Sequence, residues 1–301
     1  MFAKVKSGLK NFRLIRKINR RVKVNRTVGG NVAMSIPLGL VAAFMALPMV
    51  YAISNAFKPL NEIFFFPPRF FVRNPTLDNF RDLFIIMSNS WVPFSRYIFN
   101  TVFITTAGTT GHVLVASLAA YALAKHNFPG RRFISRIIVL ALMFSTAVTA
   151  IPNYLIMSRL GWIDTYLSVI VPSFATPVGV FLMRNFFEHA VPDIMLESAR
   201  MDGAKEFAVF WKIAMPIVKP AWLTLILFTV QGLWSATGGT FIYSEQLKTL
   251  PVAFSQIIQG GIARSGVGAA IALLMISVPV IVFIITQSNV IETLATSGIK
   301  E

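Results

Sequence analysis

The sequence predicts an all-α, polytopic membrane protein with six transmembrane helices. Of its 301 residues, 55% are hydrophobic and only 13% are charged, and the mean hydropathy is +0.67. This balance is too apolar for an ordinary soluble domain. Apolar runs recur along the chain, and each can cross a hydrocarbon core of about 30 Å at about 1.5 Å per helical residue. Charged residues collect between these runs, as expected for loops in water.

Composition and charge divide the chain into tails, spans and one large polar loop. Residues 1–31 hold ten Lys or Arg and no acidic residue. Such a segment fits either a nucleic-acid arm or a cytoplasmic tail on anionic headgroups, and the apolar run after it favours the tail. A six-helix transmembrane domain is predicted at 32–291, a polar cytoplasmic loop at 188–219 and a second cytoplasmic tail at 292–301. The spans are predicted at 32–53, 97–124, 134–157, 166–187, 220–236 and 266–291.

The basic residues predict the orientation. Six spans place both termini on one side, and that side carries 20 Lys or Arg against 8 on the other. The positive-inside rule then places both termini and the polar loop in the cytoplasm. Without residues 1–31 the two sides carry 10 and 8, so the orientation depends mainly on that tail. No small-x-small cleavage site stands out after the first apolar run, which is therefore predicted to be an anchor.

The polar loop is predicted to form a helix–bend–helix. Gly203 joins two short helical runs, since glycine passes through left-handed backbone angles without a Cβ penalty. Apolar residues then recur at i, i+3, i+4 and i+7 of one helical face. They are Phe207, Phe210, Trp211 and Ala214. Pro216 is predicted to end the run. The segment fits either a docking element for a second protein or a helix resting on lipid, and its aromatic residues could face either a partner or the chain's own helices.

The spans lack the groups that would make the chain self-sufficient. None of the six contains Asp or Glu, whereas ion-coupled transporters carry ionisable groups at membrane depth. The sequence has no G-x-x-x-x-G-K-[ST] loop to hold nucleotide phosphates, and no H-E-x-x-H or G-x-S-x-G motif. Its zero cysteines exclude disulfides and thiolate metal sites. Energy for any active transport must therefore come from another subunit.

The polar loop resembles the "EAA" loop of permease subunits of bacterial ATP-binding-cassette importers. From Glu197 to Pro216 it reads Glu-Ser-Ala, three residues, Gly, nine residues, Ile, one residue, Met-Pro, with Ser198 for the usual second Ala. Asn-Pro-Thr-x-Asp-Asn-Phe at 74–80 and Thr-Leu-Pro-Val at 249–252 are similar to segments of maltose-type, carbohydrate-class permeases. The C-terminal tail departs from that family's usual pattern.

The resemblance implies a permease subunit that moves a sugar or oligosaccharide across a bacterial cytoplasmic membrane by alternating access. Its implied partners are a second, related permease, two cytoplasmic ATPase subunits that use ATP and Mg, an extracytoplasmic substrate-binding protein and membrane lipid, but no nucleic acid. The chain itself would be no enzyme and would bind no cofactor or metal. The alternatives are an importer permease for another solute, such as a peptide or phosphate, and a self-sufficient channel or secondary transporter.

In that family the loop is the coupling helix that seats in a cleft of the ATPase. The matching residues here are Glu197, Ser198, Ala199, Asp202, Gly203, Ala204, Phe207, Phe210, Ile213 and Pro216. Four further residues are candidates for a translocation pathway. His112 and Gln231 fit either a sugar hydroxyl or a neighbouring helix as hydrogen-bond partner. Trp234 and Tyr243 fit either stacking on a sugar ring or an interfacial aromatic belt.

Overall fold

The computed structural model describes residues 28–261 and 264–297, and the regular elements in this part of the chain are all helical. The prediction of an all-α protein is therefore confirmed. The chain divides into two compact units, Met1–Tyr51 and Ala52–Glu301. The α-helices are α1 Val28–Ala56, α2 Leu60–Ile63, α3 Asp78–Ser88, α4 Phe94–Lys125, α5 Arg131–Ala141, α6 Thr146–Arg159, α7 Leu167–Phe174, α8 Pro177–Ala190, α9 Asp193–Met201, α10 Glu206–Val209, α11 Met215–Ile217, α12 Lys219–Trp234, α13 Leu250–Ile258 and α14 Ser265–Ser297. A π-helical turn at Phe210–Ala214 and a 3₁₀ turn at Glu245–Leu247 complete the set.

Four segments within the described residues are long and apolar enough to cross a membrane. They are Val32–Ala56, Phe94–Lys125, Leu167–Ala190 and Ser265–Gln287. They coincide with the predicted spans at 32–53, 97–124, 166–187 and 266–291. The number rises to five if Glu206–Ile217 and Lys219–Trp234, which meet at a bend of 80°, form one span. The tails were predicted at 1–31 and 292–301, but α1 begins at Val28 and α14 ends at Ser297, so both helices extend into them. The rest of the tails, 1–27 and 298–301, lies outside the described residues.

The predicted span at 134–157 is divided between two helices. α5 ends at Ala141 and α6 begins at Thr146. Arg132 and Arg136 lie one turn apart on α5 and give it a charged side, which is costly inside hydrocarbon. Hydropathy summed over this stretch merges the apolar residues on both sides of the break, and that is why one span was predicted. The predicted span at 220–236 corresponds to α12 alone, which ends at Trp234.

The core of the unit Ala52–Glu301 is built around α4. This helix packs against α7, α8 and α12, and its small residues let those helices approach closely. A Cβ added at Gly111 would overlap the ring of Phe174 on α7. One cluster of buried side chains joins the C-terminal part of α4 to α8, α9, α12 and the turns between them. A second cluster joins the N-terminal part of α4 to α3, α13 and α14.

Two motifs noted in the sequence close loops at the second cluster. Asn79 of the Asn-Pro-Thr segment is buried, and its side-chain amide donates to the carbonyls of Ala56 (2.9 Å) and Lys58 (2.7 Å). Thr249 of the Thr-Leu-Pro-Val segment donates its hydroxyl to the carbonyl of Ala236 at 2.8 Å. Both residues satisfy backbone carbonyls that a loop would otherwise leave without partners. In this structure both motifs fix loop conformation.

Candidate functional site

The segment 193–218, which we call the bracket, contains α9, the bend at Gly203, α10, the π turn and α11. α9 follows Pro192 and carries Asp193 in its first turn, where the helix dipole favours an acidic residue. Leu196 is 1% exposed and directs this helix onto the core. The predicted helix–bend–helix is present, with its bend at the predicted glycine.

The bend is a Schellman motif. Gly203 has a φ of +82°, and its N–H donates to the carbonyl of Arg200 at 3.0 Å. The N–H of Ala204 donates to the carbonyl of Ala199, also at 3.0 Å. Ala199 and Ala204 both pack against the first core cluster, and apolar packing at these positions frequently accompanies the motif. Nothing lies within 4 Å of a Cβ built at Gly203, so only the backbone angle demands glycine there.

The second run continues one residue past Pro216. α10 passes into the π turn at Phe210–Ala214, and α11 ends at Ile217. The prediction that Pro216 ends the run is therefore wrong. A proline in a regular α-helix lacks one N–H and clashes with the carbonyl four residues before it. The π turn widens the helix just before Pro216, which relieves this clash, and such turns are frequent at functional sites.

The four apolar residues predicted to share one face are divided between two surfaces. Phe210 and Ala214 are 2% and 0% exposed, whereas Phe207 is 67% and Trp211 38% exposed. Phe210 packs against Tyr121 of α4 and Phe187 of α8, with ring centroids 5.2 and 6.3 Å away. The chain's own helices therefore cover Phe210 and Ala214 and leave Phe207 and Trp211 outward.

Glu206 joins the two arms of the bracket to α4. Arg200 donates from Nε and Nη2 to the two Glu206 carboxylate oxygens, each at 3.0 Å, across the bend. The Tyr121 hydroxyl donates to Oε1 at 2.6 Å, and Nε2 of His126 lies 3.1 Å from the same oxygen. The hydrogen bonds from Arg200 lower the pKa of Glu206 to about 2. The carboxylate is therefore ionised at neutral pH, and it fixes the angle between the arms.

A second polar contact holds the start of α9. Lys125, the last residue of α4, donates to the carbonyl of Val191 and to the carboxylate of Asp193, each at 2.7 Å. The lysine side chain is 4% exposed and that of Asp193 is 74% exposed. The end of α4 therefore contacts both arms of the bracket, through Lys125 on one side and Tyr121 on the other.

The outward side of the bracket is apolar and exposed. Ile194, Met201 and Phe207 are 78%, 88% and 67% exposed. Among the predicted coupling residues, the exposed ones are Glu197, Ser198, Asp202, Gly203, Phe207 and Pro216. Ala199, Ala204 and Ile213 are half-buried against the core, and Phe210 is inside it. Exposed apolar side chains of this size, rimmed by polar residues, are typical of protein–protein contact sites.

The four residues predicted for a translocation pathway do not come together. His112 is 2% exposed, with Nδ1 3.3 Å from the carbonyl oxygen of Phe174, and it borders a cavity of about 330 Å³ between α4, α8 and α12. Gln231 is exposed. Trp234 is buried and donates from Nε1 to the carbonyl of Met275 at 3.1 Å, so it joins two helices. Tyr243 lies in the loop before the 3₁₀ turn, with its hydroxyl 3.4 Å from that of Tyr154.

Sequence reasoning missed the polar residues that hold the bracket in place. Arg200 and Glu206 lie on the two sides of Gly203, and their opposite charges were the one local signal available. The contact between Tyr121 and Glu206 joins positions 85 residues apart. No spacing in the sequence indicates such a pair.

Comparison with known proteins identifies the family. A family model described as "Binding-protein-dependent transport system inner membrane component" matches residues 112–292, which include the whole bracket. The chain belongs to this family. It is a membrane permease subunit of an ATP-binding-cassette importer, and as a transport subunit it is not a catalytic enzyme.

Individual relatives agree with this assignment. The protein LplC of Bacillus subtilis is 35% identical over 71% of this chain and 70% of its own length. The arabinooligosaccharides transport system permease protein AraQ of Halalkalibacterium halodurans is 26% identical over 89% of this chain and 95% of its own. A chain in the crystal structure of a bacterial ABC transporter that imports the acidic polysaccharide alginate shares the fold. Its TM-score is 0.72 at 24% identity, over 86% of this chain and 95% of that chain.

Proposed function

We propose that this permease imports a sugar or oligosaccharide and is driven by separate ATPase subunits that dock on the outward side of the bracket. The observation that carries the proposal is the division of the bracket into two surfaces. One surface, with Phe210 and Leu196, is buried in the permease core. The other, with Ile194, Met201 and Phe207, is exposed and apolar. A segment that is packed into the permease on one side and can bind a partner on the other is suited to transmitting the partner's movement to the permease.

The proposed topology has six spans and both termini in the cytoplasm of a bacterium, with the bracket on the same side. It combines the four candidate spans with two others, residues 131–159 and α12. The excess of 20 Lys or Arg over 8 supports this orientation. The proposed partners are a second, related permease that forms a heterodimer with this chain, two ATPase subunits and an extracytoplasmic binding protein.

The mechanism follows from the stiffness of the bracket. ATP and Mg bind to the ATPase subunits, and ATP shifts the transporter's equilibrium only through its differential affinity for their closed arrangement. When the ATPases move together, the bracket moves with them. Glu206 and Lys125 hold its two arms against the end of α4, and Phe210 packs it between α4 and α8. Displacement of the bracket therefore displaces these helices and alternates access to the pathway.

A saccharide substrate is supported by the relatives and by one cavity. AraQ is a permease for arabinooligosaccharides, and the structural relative imports alginate. The cavity beside His112 is also bordered by the hydroxyl side chains of Ser173, Thr176 and Thr229. Hydroxyl and imidazole groups in a mainly apolar wall are suited to orienting a sugar. Of the four predicted pathway residues, His112 is the one we retain as a substrate contact.

Two experiments test this function. When the tagged chain is purified in mild detergent, we expect it to carry a protein with a G-x-x-x-x-G-K-[ST] loop and ATP hydrolysis activity, and uptake of labelled saccharides should depend on both. Purification without any ATPase would contradict the proposal, and uptake of peptides or phosphate instead of saccharides would contradict the substrate class. Single cysteines at Lys6→Cys and Thr76→Cys report sidedness cleanly, because the chain has no other cysteine. Labelling of Lys6→Cys from outside intact cells would overturn the topology.

A further inference from the structure

A basic groove lies at the start of α5, apart from the bracket's outward surface. It encloses about 850 Å³ and is bordered by Asn127, Phe128 and Gly130, by residues of α5 as far as Arg136, and by Arg184 of α8. Four arginines line it, namely Arg131, Arg132, Arg136 and Arg184. The function proposed above uses none of them. Their convergence requires an explanation, since like charges gathered in one groove repel each other unless an anion joins them.

The carboxylate of Glu188 neutralises only part of this charge. Arg184 lies 2.8 Å and Arg131 3.7 Å from Glu188 Oε1. Arg131 also donates from Nη1 to Asn127 at 2.7 Å and from Nη2 to the carbonyl of Ala124 at 3.2 Å. These contacts hold Arg131 and Arg184 as one wall of the groove. That wall keeps a net positive charge.

Arg132 and Arg136 also line the groove. Both are exposed and lie one turn apart on α5, so their side chains extend from neighbouring positions on the helix surface. Within the part of the chain that the structure describes, neither guanidinium lies within 4 Å of a carboxylate. Arginine binds phosphate with paired N–H donors. The two side chains are therefore positioned to receive an anion.

The exposed apolar side chains of α5 indicate that this anion is the headgroup of a lipid. Phe133, Ile137 and Leu140 are 68%, 47% and 56% exposed, and they recur at i, i+4 and i+7. α5 has no buried residue at all. Basic side chains at the end of a lipid-facing helix reach the headgroups, and the exposed apolar residues that follow them contact the acyl chains. The anion is therefore expected to carry hydrocarbon chains.

We propose that this groove binds the phosphate of an anionic phospholipid, whose acyl chains lie along Phe133, Ile137 and Leu140. Arg132 and Arg136 hold the phosphate oxygens, and the wall formed by Arg131 and Arg184 completes the positive field. The site lies between α4, which contacts the bracket through Lys125, and α8, which contacts it through Phe187. The bound lipid would hold this part of the protein at the headgroup level of the bilayer, close to the bracket. This inference requires only that the chain is a membrane protein and does not depend on the ATPase partner.

The test is native mass spectrometry of the full-length chain, together with any subunits that co-purify. The protein is titrated with dioleoyl phosphatidylglycerol or dioleoyl phosphatidylcholine. We expect phosphatidylglycerol to bind more tightly by at least about ten-fold. The double variant Arg132→Gln/Arg136→Gln should weaken its binding by roughly thirty-fold, which corresponds to about 1 kcal/mol for each arginine near a lipid surface. The variant Arg132→Lys/Arg136→Lys should bind more weakly than the unmodified chain but more tightly than the Gln variant, since it keeps the charges and loses the paired N–H donors.

The matched control is Arg73→Gln/Arg159→Gln, which removes the same charge at two exposed arginines outside the groove. It should bind phosphatidylglycerol like the unmodified chain, and all variants should keep its melting temperature. An equal loss in the control would overturn the proposal, because the effect would then come from net charge. Equal binding of phosphatidylcholine would also overturn it. So would displacement of the lipid by an equimolar amount of inorganic phosphate, because the groove would then be a site for free phosphate.

Discussion

The bracket and the α5–α6 segment (131–159) are both helical, but they differ in how many of their side chains the rest of the chain buries. In the bracket, Leu196, Val209, Phe210, Ala214 and Val218 are all 2% exposed or less. Among the residues of α5–α6 whose burial the structure describes, Met157 is the one buried side chain. The bracket is held by its own chain and can transmit movement as a unit. The exposed side chains of the α5–α6 segment are expected to contact lipid or a second subunit.

The largest expected effect tests the buried side of this comparison. Phe210→Ala removes a ring packed between Tyr121 and Phe187, and we expect the chain to lose about 3–5 kcal/mol of unfolding free energy, as for other buried Phe→Ala changes. Thermal denaturation in detergent, followed by circular dichroism, measures the loss. Phe207→Ala is the matched control because its ring is exposed, and its change should stay within about 0.5 kcal/mol. Equal losses in the two variants would contradict the division of the bracket into two surfaces.

Substitutions at Gly203 test whether stability and uptake depend on the backbone angle at the bend. Gly203→Val should cost about 1–2 kcal/mol, since a β-branched residue resists a φ of +82°. Gly203→Asn should cost less, because asparagine tolerates left-handed angles and no atom lies within 4 Å of the added Cβ. Uptake and melting temperature should follow the same order. Equal behaviour of the two variants would show that the backbone angle is not the cause.

Glu206 tests the polar contact between the bracket and α4. Glu206→Gln should cost about 1 kcal/mol, a value reduced from that of a buried pair because the side chain is 43% exposed. The folded-state pKa of Glu206 is lowered, so its stabilising effect is complete above the ordinary value of 4.5 and is lost as the pH falls towards about 2. The difference in melting temperature between the variant and the unmodified chain should therefore be present at pH 7 and shrink below pH 4.5. The exposed Glu197→Gln is the control, and it should leave the melting temperature at pH 7 close to that of the unmodified chain.

The smallest effect is expected in the α5–α6 segment. Ile151 is 73% exposed on α6, so Ile151→Ala should change the melting temperature of the isolated chain by the equivalent of less than about 0.5 kcal/mol. Denaturation in detergent under the same conditions as for Phe210→Ala provides the comparison. A loss as large as that of Phe210→Ala would mean that the chain itself covers Ile151.

Local patterns predicted the elements well, and the contacts between elements poorly. Hydropathy predicted four of the segments that are long and apolar enough to cross a membrane, because each is a continuous apolar stretch. Gly203 indicated the bend because glycine adopts left-handed backbone angles without strain. Periodicity placed Phe207, Phe210, Trp211 and Ala214 on one face, but an apolar pattern does not show which side chains the chain's own core covers, and only Phe210 and Ala214 are buried. No sequence pattern predicted the contact between Glu206 and Tyr121, because the two residues are 85 positions apart. The break at 142–145 was missed because apolar residues continue across it.

The proposed function depends above all on contact between the outward side of the bracket and the ATPase. The most direct measurement is site-specific cross-linking through Met201→Cys, because Met201 is 88% exposed beside the bend and the chain has no other cysteine. A photoreactive thiol reagent is attached to this cysteine, and the complex in native membranes is irradiated. We expect an adduct whose tryptic peptides include a G-x-x-x-x-G-K-[ST] loop, and none from the same reagent at Ile151→Cys. Normal uptake by the Met201→Cys chain without any ATPase adduct would contradict this contact.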